Sequence, residues 1–146
     1  MEKKQIKLIS GGMARDGRGQ IRFVNDFDMK NVKRFYIIAN ANTGLVRGWR
    51  GHRAEKRWFY TLSGRFAIDL VKIDDWERAS NDLPVEKCIL AESDQQVLCV
   101  PEGYATAFQA LEEHSELLVF ADSGIETIND DDFTWPQSYF INRQNI

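Results

Sequence analysis

No run of apolar residues in this chain approaches the ~20 needed to cross a bilayer as a helix. The opening residues, Met1-Glu2-Lys3-Lys4-Gln5, lack the apolar core and small-residue cleavage site of a secretory signal. The expectation is a cytoplasmic protein with no membrane partner. Cysteine is scarce: Cys88 and Cys99 are the only two, on separate predicted strands and without a Cys-x-x-Cys or other metal-ligand spacing. They read as half-buried thiols in a reducing compartment. There is no internal repeat, no low-complexity tract and no helical period sustained over three turns, which excludes a solenoid and a helical bundle. Nor is there a basic face spread over the whole domain, as a nucleic-acid binder usually has.

What is present is a concentration of positive charge. Residues 44–57, Gly-Leu-Val-Arg-Gly-Trp-Arg-Gly-His-Arg-Ala-Glu-Lys-Arg, hold five of the nineteen Lys and Arg residues and one of the two histidines, against one acid, Glu55. The net charge of the chain is −3, so this stretch carries +4 and the remainder −7. A local positive field in an otherwise acidic protein suits a small anionic ligand.

The rest of the chain, residues 1–146 read as one domain, is a succession of short β-prone segments separated by turn residues. Predicted strands cover 5–10, 20–24, 34–39, 56–62, 65–73, 87–91, 96–100, 104–110 and 116–121, with the basic stretch itself on a strand. Residues 13–19 read as a turn or loop and 74–84 as a long loop. Residues 56–73 read as the clearest hairpin, turning at Ser63-Gly64, with Phe66, Ile68 and Leu70 on one face of its second arm. The tail, Asp130-Asp131-Asp132 before Phe133-Thr134-Trp135-Pro136, reads as an acidic loop leading to an aromatic segment that packs back on the body. The acidic run is most simply a solvated turn, though it is also able to hold a cation of the basic stretch. The fold class is all-β, a sandwich or barrel.

The spacing of the basic stretch then becomes informative. Gly44, Arg50, His52, Arg57 and Gly64 fall on the first cupin motif, G-x5-H-x-H-x4-E-x6-G, with arginine at the first His and at the Glu. Pro101-Glu102-Gly103-Tyr104-Ala105-Thr106 falls on the second, P-x-G-x2-H, with Thr106 at the histidine. The chain thus resembles the cupins, which implies a jelly-roll barrel. Of the four metal positions only His52 is able to ligate, and two guanidinium groups repel a divalent cation. No metal and no other cofactor is expected. Arginine instead offers a planar fork of donors suited to phosphate. Strict alternation puts Gly48, Arg50 and His52 on one face of the strand, with Arg47, Trp49 and Arg53 on the other. It also gives Arg57 a common face with Phe59 and Thr61, so Arg50, His52 and Arg57 converge inside the barrel mouth.

Within the metal-free cupins the chain is similar to the dTDP-4-dehydrorhamnose 3,5-epimerases and the dTDP-4-oxo-6-deoxyglucose 3,4-ketoisomerases, a group that includes the WxcM-like sugar epimerases. Val46-Arg47-Gly48-Trp49 resembles the epimerases' L-R-G-L-H, and Val100-Pro101-Glu102-Gly103-Tyr104-Ala105 their I-P-E-G-F-A. Ser123-Gly124-Ile125 and Trp135-Pro136 echo their later stretches. Arg47-Gly48-Trp49-Arg50-Gly51-His52 follows the ketoisomerases' R-G-x-H-A-H except at its first histidine. The resemblance implies an isomerase or epimerase acting on a nucleotide-activated 4-keto-6-deoxysugar in surface polysaccharide synthesis, working as a homodimer. His52 would remove a proton beside the keto group, with Arg57 or Arg50 polarising the keto oxygen. Arg47 and Arg53 would lie nearer the diphosphate. Trp49, Tyr60 or Tyr104 would stack on the base, and Thr106 would line the pocket. The sequence also departs from both families. Phe120-Ala121-Asp122 offers no tyrosine where the epimerases carry their acid, and Thr106 and Arg50 replace family histidines. The alternative is a non-catalytic sugar-nucleotide or carbohydrate-binding cupin. His114, between Glu113 and Ser115 in a turn, reads as a surface residue.

Overall fold

Alternation in the strand Arg65–Lys72 sets the pattern for the whole molecule. Its Phe66, Ile68 and Leu70 enter the main core, while Ala67 and Val71 turn away from it. The computed structural model describes residues 5–141, except for the side chains of residues 127–129. Twelve strands are present among them: β1 (Lys7–Ser10), β2 (Gly12–Asp16), β3 (Gly19–Phe23), β4 (Arg34–Ile38), β5 (Val46–His52), β6 (Arg57–Ser63), β7 (Arg65–Lys72), β8 (Glu86–Ala91), β9 (Gln96–Val100), β10 (Tyr104–Ala110), β11 (Glu116–Ala121) and β12 (Phe133–Thr134). Two short 3-10 helices, Glu92–Asp94 and Ile125–Asp131, complete the list. No helix among the described residues is long and apolar enough to cross a membrane.

The strands form two five-stranded antiparallel sheets, ordered β1-β9-β6-β11-β4 and β12-β5-β10-β7-β8, and a separate β2-β3 ribbon. From β4 to β11 every connection passes from one sheet to the other except that between β7 and β8. That is a jelly-roll barrel, the expected all-β class. Phe59, Phe66, Ile68, Leu98, Phe108 and Leu117 fill the space between the sheets, each contributing about 1.5–3 kcal/mol by leaving water. The outer face of the β5 sheet is covered by aromatic residues of the 74–84 loop and the C-terminal segment, which pack on Trp49, Val71 and Ala105. The outer face of the other sheet is covered in part by Val24, Phe27 and Val32, around Trp58.

Three expectations are corrected. The strands on either side of Ser63-Gly64 are not a hairpin, because β6 and β7 lie in opposite sheets. The connection needs glycine for a different reason. Gly64 has φ +73°, and a Cβ there would sit 2.0 Å from Ser115 Oγ. Residues 13–19 are not a loop throughout: Gly12–Asp16 forms β2 and turns into β3, with Asp16 Oδ1 accepting from the Arg18 backbone N–H. The acidic run is not a solvated turn either. It ends the helix Ile125–Asp131 and binds the basic stretch, as described below. The aromatic tail does pack back. β12 extends the sheet beside β5, Trp135 N donates to Trp49 O, and Trp49 Nε1 donates to Gln137 O. Cys88 and Cys99 are free thiols on strands of opposite sheets.

Candidate active site

The register between β5 and β10 decides which side chains of the basic stretch face the barrel interior. Tyr104 lies opposite His52, Thr106 opposite Arg50, and Phe108 opposite Arg47. Two steps along β10 therefore match three along β5, so β5 carries a bulge at Gly48-Trp49. Residues directly opposite share a face, and Tyr104 and Phe108 belong to the interior core. Arg47, Arg50 and His52 consequently all face inward. This overturns the strict alternation that put Arg47 outside. Trp49 faces outward and is fully buried in the covering aromatic cluster, where it has no room to stack on a ligand.

Arg57 begins β6 and reaches across the interior, with Nη2 donating to Thr106 Oγ1 over 3.1 Å. Its guanidinium carbon lies 5.3 Å from the Phe59 ring centre, and the residue is only 3% exposed. Among the described residues no carboxylate pairs with it. A buried cation in that state is poised to receive an anion or a partial negative charge. A cavity of about 430 Å³ opens between β4 and β5, lined by Tyr36, Ile38, Arg47, Arg50, Arg57 and Phe108. Tyr36 was missed in the sequence, although the alternation of Arg34, Tyr36 and Ile38 on β4 carries the signal, since Tyr36 and Ile38 pack on the interior core. A larger cavity of about 550 Å³ lies at the other end of β10, between the 39–43 and 112–116 connections. Its wall carries Glu112, Glu113 and Glu116, which suit no anion, and none of the predicted site residues.

His52 does not touch the wall of the 430 Å³ cavity. It lies one rung deeper on the same face, 7% exposed. Its Nδ1 is 2.7 Å from the Asp131 backbone oxygen. A carbonyl only accepts, so Nδ1 carries the proton and Nε2 keeps its lone pair. Burial, and then the Arg57 cation, push the imidazole below its ordinary pKa, against the opposing charges of Glu55 and Asp131. A neutral ring with a free Nε2 is the form a general base requires.

The end of the helix Ile125–Asp131 clasps the loop after β5. The Asp131 carboxylate accepts from the backbone N–H groups of Arg53 (2.6 Å), Ala54 (3.1 Å) and Glu55 (2.9 Å). Asp132 pairs with Arg50 Nε at 3.0 Å at the rim of the mouth. The Arg53 side chain is exposed and does not line the cavity. Tyr60 points to the opposite face of β6 from Phe59, packing near Trp58 beneath the Arg22 guanidinium. The structure thus brings Arg47, Arg50, His52, Arg57, Tyr104 and Thr106 to the barrel interior, Arg57 from one sheet and the others from the facing one, and leaves Arg53 and Tyr60 away from it. Tyr104 is buried opposite His52, its hydroxyl pKa raised by burial and by Glu86. Thr106 is fully enclosed and engaged by Arg57.

A family model described as WxcM-like, C-terminal (FdtA) matches residues 3–144. No curated protein matches in sequence. Among solved structures, the chain is similar to a dTDP-4-dehydrorhamnose 3,5-epimerase from Sulfolobus tokodaii, with TM-score 0.72 and 23% identity over 92% of this chain and 78% of that one. It is similar to the QdtA 3,4-ketoisomerase of Thermoanaerobacterium thermosaccharolyticum, a double mutant in complex with TDP, with TM-score 0.66 and 22% identity over 91% of this chain and 88% of that one. It is also similar to the WlaRB TDP-quinovose 3,4-ketoisomerase of Campylobacter jejuni, with TM-score 0.62 and 22% identity over 84% and 88%. At these identities the likeness bears on the fold.

Proposed function

Because the chain belongs to the WxcM-like C-terminal family, we propose that it is an isomerase of a dTDP-linked 4-keto-6-deoxysugar. It would act by removing a proton from the carbon beside the keto group. The observation that carries this is the His52 imidazole, neutral and tethered through Nδ1, on one inward face with Arg47 and Arg50 and with Arg57 on β6 of the facing sheet. A C–H beside a ketone is within reach of an imidazole base when a nearby cation stabilises the enolate. The buried Arg57 guanidinium supplies that cation. Arg47 and Arg50, at the outer part of the cavity, bind the diphosphate. The QdtA structure bound to TDP supports a nucleotide-sugar ligand. Tyr36, on the cavity wall, is the tyrosine available to donate a proton in place of the one missing near Ala121.

Guanidinium groups at two motif ligand positions favour chemistry without a divalent cation. A homodimer in the cytoplasm, serving surface polysaccharide synthesis, completes the reading. Phe35 and Ile37, exposed on the edge strand β4, support a further protein surface there. Light scattering on the purified protein tests the dimer.

Incubation with dTDP-4-keto-6-deoxyglucose in heavy water tests the reaction. Deuterium should enter C3 or C5, and His52→Ala should abolish its entry. The second reading, a pocket that binds without reacting, is favoured by Thr106, where the epimerases carry histidine, and by Arg50, where the ketoisomerases do. Tight binding of the sugar nucleotide with no exchange would establish it and end the isomerase reading.

A further inference from the structure

Glu55 is a buried carboxylate beside His52 that the proposed reaction has not used. It lies three residues after His52 and is 4% exposed. Its Oε1 accepts from Arg34 Nη2 at 2.9 Å and from Ser123 Oγ at 2.5 Å. Arg34 in turn donates through Nε to Ser123 O, and the Glu55 backbone N–H is held by Asp131. The carboxylate is therefore fixed from β4, from the residues after β11 and from its own backbone. Its other oxygen, Oε2, is buried without a hydrogen bond and lies 3.5 Å from His52 Nδ1.

An ion pair with Arg34 explains Oε1 and leaves Oε2 unexplained. A buried carboxylate oxygen without a donor is unfavourable, yet this one is aimed at the ring nitrogen that carries the proton. At 3.5 Å the contact is too long for a strong hydrogen bond, and Nδ1–H is directed instead at the Asp131 carbonyl. A carboxylate charge at that distance attracts a cationic ring far more strongly than a neutral one.

We propose that Glu55 is the positioning residue for His52, holding its Nδ1–H tautomer and stabilising the imidazolium formed during the reaction. The inference rests on the isomerase reading of the same site. In the step concerned, the C–H bond beside the keto group breaks and its electron pair moves into the enolate. The proton forms a new bond to Nε2. A neutral ring and a neutral ketone thus become an imidazolium and an enolate, with Glu55 facing the first charge and Arg57 the second. The enolate collapses by taking a proton at carbon from the acid on the cavity wall, the imidazolium proton replaces that one through solvent, and the ring is neutral again. The other groups near the ring are the Asp131 carbonyl and carboxylate from the C-terminal helix, Arg57 from β6 and Tyr104 from β10, with Lys72 beyond Tyr104 on β7. Of these, only the Asp131 groups share with Glu55 the sign that favours a protonated ring, and the Asp131 carboxylate already accepts from backbone N–H groups.

The test compares wild type with Glu55→Gln and Glu55→Asp. Glutamine keeps an oxygen for Arg34 and Ser123 but removes the charge, and turns an N–H group toward Nδ1. Nitrogen NMR of the free protein reads the tautomer and titration of His52, with His114 as the second histidine signal and internal reference. The expected result is a lower titration midpoint and loss of the pure Nδ1–H tautomer in Glu55→Gln, with a smaller change in Glu55→Asp. Deuterium entry into the sugar should fall by about tenfold or more, and the acid limb of its pH profile should move to lower pH. A His52 titration and tautomer unchanged by Glu55→Gln would overturn the proposal, as would a loss of activity that tracks only a lower Tm. If Glu55→Gln does not fold, the Glu55→Asp titration decides alone. Absence of exchange in the wild type would sink the isomerase reading, and the NMR titration would still decide whether Glu55 controls the ring.

Discussion

Arg57 and Thr106 join the two sheets from inside the barrel, one on β6 and the other on β10, through a guanidinium-to-hydroxyl hydrogen bond of 3.1 Å. Thr106 occupies the position where the cupin motif has a metal-binding histidine, and Arg57 the position of its glutamate. The exchange turns a site that would attract a cation into one that presents a cation. Removing the hydroxyl strands a buried donor, whereas removing the charge relieves a desolvated cation. Thr106→Val should therefore destabilise the protein by about 1–3 kcal/mol in urea unfolding. Arg57→Met should leave stability unchanged or raise it while abolishing deuterium exchange. Loss of both stability and exchange in Arg57→Met would show the arginine to be a structural element.

The bulge in β5 makes a separate prediction, because it puts Arg47 in the cavity, whereas Arg53, just past the end of β5, lies outside it. Arg47→Ala should weaken dTDP binding by about 10- to 100-fold, the equivalent of a charge-assisted hydrogen bond. Arg53→Ala should leave it nearly unchanged. Isothermal titration of dTDP against the two variants at one salt concentration separates them, and equal losses would refute the assignment.

Acid should weaken the fold through His52. Its folded pKa is depressed, first by burial and then by Arg57. Below the ordinary imidazole value of about 6.5 the unfolded chain therefore binds a proton that the folded one resists. The stability contributed by the neutral ring is present above that value. It is lost as pH falls through the folded pKa. The fall in Tm between about pH 7.5 and about pH 5 should be shallower in His52→Gln than in wild type. An identical slope would mean that the ring is not desolvated.

Asp131 accepts from three consecutive backbone N–H groups and presents its own carbonyl to His52. Asp131→Ala should cost about 1–3 kcal/mol and speed amide hydrogen exchange at residues 53–55 specifically. Protection unchanged at those three amides would refute the clasp.

Much of the architecture was legible in the sequence, since alternation in β7 and the turn residues between strands are local signals. The inward positions of His52 and Arg57 followed from the same rule. Arg47 did not, because a bulge is a property of two strands in register, and the extra residue at Gly48-Trp49 is visible only against β10. The supposed hairpin at Ser63-Gly64 failed for a related reason: a tight glycine turn specifies a reversal of direction without specifying the plane in which the next strand lies. Glu55 and Asp131 are the further losses. Their roles depend on contacts that span 68 residues, to Ser123, and 79 residues, from His52 to Asp131. Nothing in the acidic run itself distinguishes a clasp from a solvated turn.

The clasp also fixes how much of the chain the site depends on. The eight strands from β4 to β11 are complete by Ala121, but the carbonyl that accepts from His52 Nδ1 comes from Asp131. A chain shortened after Ala121 would keep those eight strands and lose that acceptor, together with the carboxylate that gathers the amides of residues 53–55. The barrel and the base are thus encoded in different parts of the chain.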